Sequence, residues 1–265
     1  MQKDSFIQQY AAGLNPQQLA AVQAVNGPVL LLAVPGSGKT TVLVTRLGYM
    51  VLCCHVPPAQ ILTMTYTVAA THEMRSRFAA RFGDELAAEM TFRTINGLSA
   101  VILQYYSRTY GRRQPELLTN EGDITRLLGD IWQQVNREFA TESTLKELRT
   151  AITYIKNMAL TDAEIEAMDT DLANLPELYR RYQAALKRAG QMDYDDQMVF
   201  ALQILRAAPP VLGYFQQRYR YFCVDESQDT SKIQHEIIRL LAGRSLNLFM
   251  VGDEDQSIYG FRAAY

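Results

Sequence analysis

Five short apolar runs punctuate the chain: Val29 to Ala33, Ile61 to Thr65, Met90 to Arg93, Tyr221 to Asp225 and Leu246 to Val251. Each is bounded by loop-forming residues, and most are followed by apolar positions at helical spacing. Runs this short, alternating with helices, predict a parallel sheet covered on its faces by helices. Ahead of the first run, Asn15-Pro16 reads as a helix start, with Asn as cap and Pro in the first turn, and the helix is expected to reach Asn26-Gly27.

The middle of the chain breaks this rhythm. From Tyr106 to Gly190 the pattern offers no strand. It offers amphipathic helices instead, at 123–139, 143–158 and 178–189. In the first of these Ile124, Leu127, Leu128 and Ile131 form one apolar stripe, the ordinary signature of core packing. The predicted organisation is an α/β domain over residues 1–105 and 191–265, interrupted by an all-helical subdomain over 106–190.

Composition narrows the class without choosing a function. The 265 residues are 48% hydrophobic and 20% charged, which suits a folded globular chain with a sizeable core. The net charge of −2 gives no global basic excess, so any nucleic-acid partner would have to meet a local groove. Three cysteines, Cys53, Cys54 and Cys223, have no framework spacing, which points to a reducing compartment; the adjacent pair reads as small buried hydrophobes. The three histidines are scattered and predict no structural metal site. The N-terminus has no apolar signal region, and no stretch reaches the ~18 apolar residues of a membrane span. A cytoplasmic, soluble protein is expected.

The chemistry begins where the first strand should end. Residues 33–40, Ala33, Val34, Pro35, Gly36, Ser37, Gly38, Lys39 and Thr40, fit the G/A-x-x-x-x-G-K-[ST] pattern. Its glycines let successive N–H groups point inward at a helix N-terminus, forming a nest for an anion. Lys39 would reach the β- and γ-phosphates of a nucleotide, and the Thr40 hydroxyl can ligate Mg²⁺. Such a loop needs acids across the sheet, and YFCVDESQDT (221–230) supplies them: Asp225 to hold Mg²⁺, Glu226 to orient and deprotonate water. A third strand ends in MVGDEDQSIYGFRAA (250–264), with Asp253, Glu254, Asp255 and Gln256 at its exit. Gln256 is neutral and suits a sensor of the γ-phosphate. Tyr259 and Phe261 follow, and by spacing alone serve equally as core anchors or as stacking platforms for bases.

Together these stretches resemble the N-terminal half of a UvrD/Rep-type superfamily 1 DNA helicase. LNPQQLAAV (14–22) is similar to the Q motif, AVPGSGKTTVL to motif I, TMTYTVAATHEMRSR (63–77) to motif Ia and RTINGLSAVIL (93–103) to motif Ib. MDYDDQMVFA (192–201) resembles the short acidic-aromatic motif before motif II. VDESQDT and VGDEDQSIYGFRAA are similar to motifs II and III, and both are highly specific runs. The resemblance implies a RecA-like ATP-binding domain with an inserted helical subdomain. It further implies a 3′→5′ motor driven by ATP and Mg²⁺ on single-stranded DNA and at ss/dsDNA junctions. It assigns Gln18 to adenine, residues 33–41 including Thr41 to nucleotide, and Lys39, Glu226 and Gln256 to catalysis. Tyr66, Tyr259 and Phe261 become base-stacking residues, and Thr94 and Asn96 contacts to the DNA backbone.

Departures qualify that picture. Tyr66 stands for the usual Phe, Val68-Ala69 for Asn-Lys, Asn96 for His, Thr41 for Arg and Phe261 for Trp. The catalytic set is intact, so nucleotide chemistry is expected to be kept and DNA affinity altered. The chain stops just past motif III. The second motor domain and its arginines, worth ~10³–10⁵ in rate, are therefore expected to lie outside it, and the chain alone to be nearly inactive. The other readings are a helicase-like subunit of a recombination nuclease complex, a non-catalytic nucleotide or DNA platform, and an unrelated P-loop enzyme such as a kinase. Three smaller features have bland readings. SRTYGRRQ (107–114) is a solvated linker or a duplex contact, the arginines of LYRRYQAALKR (178–188) are a solvated face, and Asp193 to Asp196 start a helix.

Overall fold

The computed structural model describes residues 1–34 and 36–253, with Ala33 by its backbone only. Among the described residues, seven strands form two sheets. β1 (Val29–Ala33), β2 (Ile61–Thr65), β3 (Thr91–Thr94), β6 (Tyr221–Val224) and β7 (Leu248–Asp253) make a wholly parallel sheet in the order β1-β7-β6-β2-β3. Parallel neighbours cannot be joined by a tight hairpin, so helical segments link the strands. β4 (Glu116–Leu117) and β5 (Gln191–Met192) pair separately and in parallel. This corrects the expectation of no strand between Tyr106 and Gly190: the chain enters and leaves the helical stretch side by side, and two residues from each pass pair.

Side chains alternate across the large sheet with period two. Phe222 and Val224 of β6 enter one hydrophobic cluster, with Leu62 and Met64 of β2. The helices Ile95–Tyr110, Tyr194–Ala207, Pro209–Arg218 and Lys232–Ala242 close it. Cys223 enters the opposite cluster with Phe249 and Val251, under the helices Lys39–Leu52 and Val68–Phe82. A third cluster belongs to the helical stretch alone. Ile124, Leu128, Trp132, Leu148, Ile152 and Tyr182 pack among the helices Glu121–Asn136, Glu142–Asn157 and Leu175–Ala189.

The helix that Asn15-Pro16 opens is shorter than patterning suggests. It runs Pro16–Gln23, and Asn15 caps it in a reciprocal box with Gln18. It stops because Arg46, buried to 2% exposure, donates to the carbonyls of Ala21, Ala24 and Val25 while lying over the Phe249 ring. The guanidinium replaces the next turn of helix. Two further corrections concern the surface. Cys53 is half-buried and Cys54 exposed, where a helix end turns out of the core. Ser107–Tyr110 are the last turn of a helix ended by Gly111, so the basic-aromatic stretch is only partly loop. No single helix among the described residues is long and apolar enough to cross a membrane.

The helical stretch is joined to the sheet domain by buried charge. Lys156, 2% exposed, donates to Asp193 at 2.5 Å and pairs with Asp196 at 2.8 Å, and the Tyr182 hydroxyl donates to Asp193. Asp193 and Asp196 cap the helix Tyr194–Ala207 reciprocally, so the acidic stretch is a helix start.

Candidate functional site

β1 delivers the phosphate-type loop to the carboxyl edge of the sheet. Gly36 and Gly38 hold φ of +78° and +84°, where an L side chain is strained. The Ser37 N–H turns back onto the Val34 carbonyl. Lys39 and Thr40 then open a fourteen-residue helix whose first N–H groups have no partner within the helix. The Ser37 hydroxyl is buried without a hydrogen-bond partner. A nest of free N–H groups, a buried hydroxyl and a lysine together fit a phosphate chain. Gln18 braces this loop: its Oε1 accepts the Asn15 N–H, and its Nε2 donates to the Ser37 carbonyl at 2.9 Å. One N–H and one lone pair of that amide stay available for a ligand. Thr41 is exposed beside them, and Pro35 lies outside the described residues.

The facing wall is acidic. Strand order puts β7 against β1, with Asp253 opposite Ala33, and β6 next to β7. Lys39 is ion-paired with Asp253 and lies 3.8 Å from Glu226 Oε2. Asp225 is buried. Its N–H donates to the Met64 carbonyl, and its carboxylate accepts the Glu226 N–H at 3.1 Å. Burial, then the neighbouring Glu226 charge, push the Asp225 carboxyl up to about 6. The stability this shift contributes is present below the ordinary carboxylate range and is lost as pH rises through about 6. A divalent cation beside Asp225 would relieve the charge at neutral pH, so Thr40 and Asp225 fit Mg²⁺ by chemistry.

Glu226 takes a left-handed backbone, φ 51°, which swings its side chain to 45% exposure at the mouth of the site. Gln228, in the single turn Ser227–Asp229, donates from Nε2 to Glu226 Oε2 at 2.7 Å and accepts the Asp253 N–H on Oε1 at 3.0 Å. That turn rests on Gly252, where a Cβ would lie 2.5 Å from Ser227 Oγ and 3.0 Å from Gln228 Oε1. Gly252→Ala is therefore expected to displace the turn and cost about 1–3 kcal/mol. Chemical unfolding of both chains checks this, and equal midpoints would contradict it.

A second cleft, of about 520 Å³, opens beside the acid wall, where β2 and β3 end side by side. Tyr66 and Asn96 line it together, facing Thr150 and Thr153 of the helix Glu142–Asn157. The Tyr66 hydroxyl is hydrogen-bonded to that of Thr230, and burial pushes the phenol up. Asn96 Oδ1 is buried without a partner. Thr94 behaves differently: its Oγ1 accepts the Gly97 N–H and caps a helix. Gln256, Tyr259 and Phe261 lie outside the described residues. Three residues take parts that the sequence reading did not give them. Asp253 was legible as a strand-exit acid but not as the partner of Lys39. Gln228 was legible only as part of a motif. Tyr194, 47% exposed on the same cleft, was hidden inside a helix-start signal, its one clue being an aromatic among acids.

Comparison with known proteins finds the chain's family. The UvrD/REP helicase N-terminal domain family matches residues 14–265. The chain is 35% identical over 254 residues to the ATP-dependent DNA helicase PcrA of Leuconostoc citreum, and 33% over 253 residues to that of Staphylococcus aureus (strain Mu50 / ATCC 700699). Each match covers 95% of this chain and 34% of the relative, so the chain spans about a third of the length of the curated relatives it matches.

Proposed function

The chain belongs to the UvrD/REP helicase family through that family's N-terminal domain, and on that premise we propose that it binds ATP–Mg²⁺ and single-stranded DNA as the first motor domain of an ATP-dependent 3′→5′ DNA helicase. The observation that carries this reading is Lys39, at the start of the helix that follows β1, facing Asp253 of β7 and Glu226 after β6 on one edge of a parallel sheet. Ligands of open parallel sheets bind at that edge.

Residues 33–41 would wrap the phosphates, with Lys39 on the β- and γ-oxygens and Gln18 on adenine. Thr40 and Asp225 would hold Mg²⁺, which supplies neutralisation of phosphate charge. Glu226 takes a proton from water as the water oxygen bonds the γ-phosphorus and the bridging bond to the β-phosphate breaks. Gln256 would read the γ-phosphate. Tyr66, Tyr259 and Phe261, with Tyr194 added from the cleft, would stack bases, and Thr94 and Asn96 would meet the backbone. In this reading residues 106–190 are an inserted helical subdomain. A second motor domain, in a protein of the relatives' length, would complete the γ-phosphate site and speed the hydrolysis that the residues of this chain begin.

Lys39→Ala tests the nucleotide half. A charge-assisted contact of about 1.5–3 kcal/mol disappears, so a fluorescent ATP analogue should bind about 10- to 100-fold more weakly. Unchanged binding, with the variant folded by circular dichroism, would refute the placement of phosphate at this loop.

A further inference from the structure

We infer that Gln228 is a positioning residue for hydrolysis: its carboxamide fixes the Glu226 carboxylate and decides which of its oxygens takes the proton. The inference rests on the ATP reading above.

Glu226 needs such a constraint. Its side chain stands 45% exposed, and its backbone is in the left-handed region. An unbraced glutamate there would sample several rotamers. Among the described residues, one hydrogen bond reaches its carboxylate, from Gln228 Nε2 to Oε2 at 2.7 Å. Oε2 is also the oxygen that faces Lys39 at 3.8 Å. Oε2 thus accepts from Gln228 and faces the Lys39 charge, and Oε1 is left as the proton acceptor. As the water oxygen bonds the γ-phosphorus, its O–H bond breaks and the proton passes to Oε1. The electron pair of the breaking bridge bond leaves with the β-phosphate.

The amide is itself anchored, and this makes it more than a chance contact. Its orientation is dictated from both ends: the Asp253 N–H requires an acceptor, so Oε1 faces β7, and Nε2 must face the carboxylate. Gly252 leaves room for the turn to press against β7. A base held from two strands keeps its geometry when nucleotide enters, and a displacement of about 1 Å in such a group can cost about 10²-fold in rate.

Two substitutions in the full chain separate positioning from mere structure. Gln228→Glu keeps an acceptor for the Asp253 N–H but loses the donor and adds a charge that repels Glu226. Gln228→Leu loses both contacts. Nucleotide affinity is measured with a fluorescent ATP analogue, and single-turnover hydrolysis with radiolabelled ATP under excess protein, with single-stranded DNA present. If the inference is right, both variants bind nucleotide within about 3-fold of the parent chain but hydrolyse it about 10- to 100-fold more slowly. If Gln228→Glu hydrolyses at the parent rate, the anchor to β7 is all that matters and the inference falls. It falls equally if both variants lose nucleotide affinity and hydrolysis together. If the parent chain binds ATP but shows no Glu226-dependent hydrolysis, the catalytic reading fails first and takes this inference with it.

Discussion

Glu226→Gln should leave a chain that still binds ATP but hydrolyses it about 10²- to 10⁴-fold more slowly, the range expected when a general base is removed. The substitution keeps the shape of the side chain. It removes the charge and the basic oxygen. Binding should survive because the main partner of Lys39 is Asp253, whereas Glu226 sits 3.8 Å away. The effect on Asp225 has a definite sign. Glu226 is the second cause, after burial, of its raised pKa, so neutralising Glu226 lowers it and favours the ionised form that a cation needs. Magnesium-dependent nucleotide affinity should therefore be equal or higher. Single-turnover hydrolysis and nucleotide titration on the same protein decide the matter. Hydrolysis at the parent rate would mean that the base lies elsewhere.

Lys156→Met should cost about 3–5 kcal/mol of stability, the price of leaving buried carboxylates without their cation. Burial opposes the charge on Lys156, but Asp193 and Asp196 outweigh it and raise its pKa. Burial pushes both aspartates up, and Lys156 offsets it. Asp193 ends below the usual carboxylate range and Asp196 above it. The lysine's contribution is present at neutral pH and is lost only as pH rises through its raised folded value. Without the ammonium, both carboxylates are left with burial and mutual repulsion, which raise a folded pKa. The variant should then recover stability as pH falls, opposite to ordinary acid unfolding. Urea unfolding at pH 7 and pH 5 measures this. A loss below about 1 kcal/mol at pH 7 would show that the site relaxes to admit water. Asp195 beside them accepts from Thr153 and Asn157, so loosening this joint also moves a wall of the Tyr66 cleft.

What the sequence told in advance was what is local. β1 and β2 fall where their apolar runs predict, since a buried strand is written in consecutive residues. The phosphate loop and the Asp225-Glu226 pair are legible for the same reason. The end of the Pro16–Gln23 helix was not, because Arg46 sets it from another helix. The two-residue strands β4 and β5 were not, because two residues carry no period. Within the site, the contacts of Lys39 with Asp253 and of Gln228 with both acids depend on β7 lying between β1 and β6. The resemblance makes Tyr66 a base-stacking ring. The structure keeps it on the cleft but ties its hydroxyl to Thr230, a partner 164 residues away.

The pairing of β1 with β7 also sets a clock. Val29 lies opposite Phe249, so 249 − 29 = 220 residues separate the two strands. At about 5–20 residues per second on a ribosome, roughly 10–45 seconds pass before the phosphate loop meets the strand that carries the partner of its lysine. During that interval the loop exists without its acid wall. Leu30 and Leu32 of β1, still 60% and 49% exposed in the finished fold, wait beside an unpaired strand edge. Through that interval β1 is a strand with no neighbour on either edge, an open template for wrong pairing.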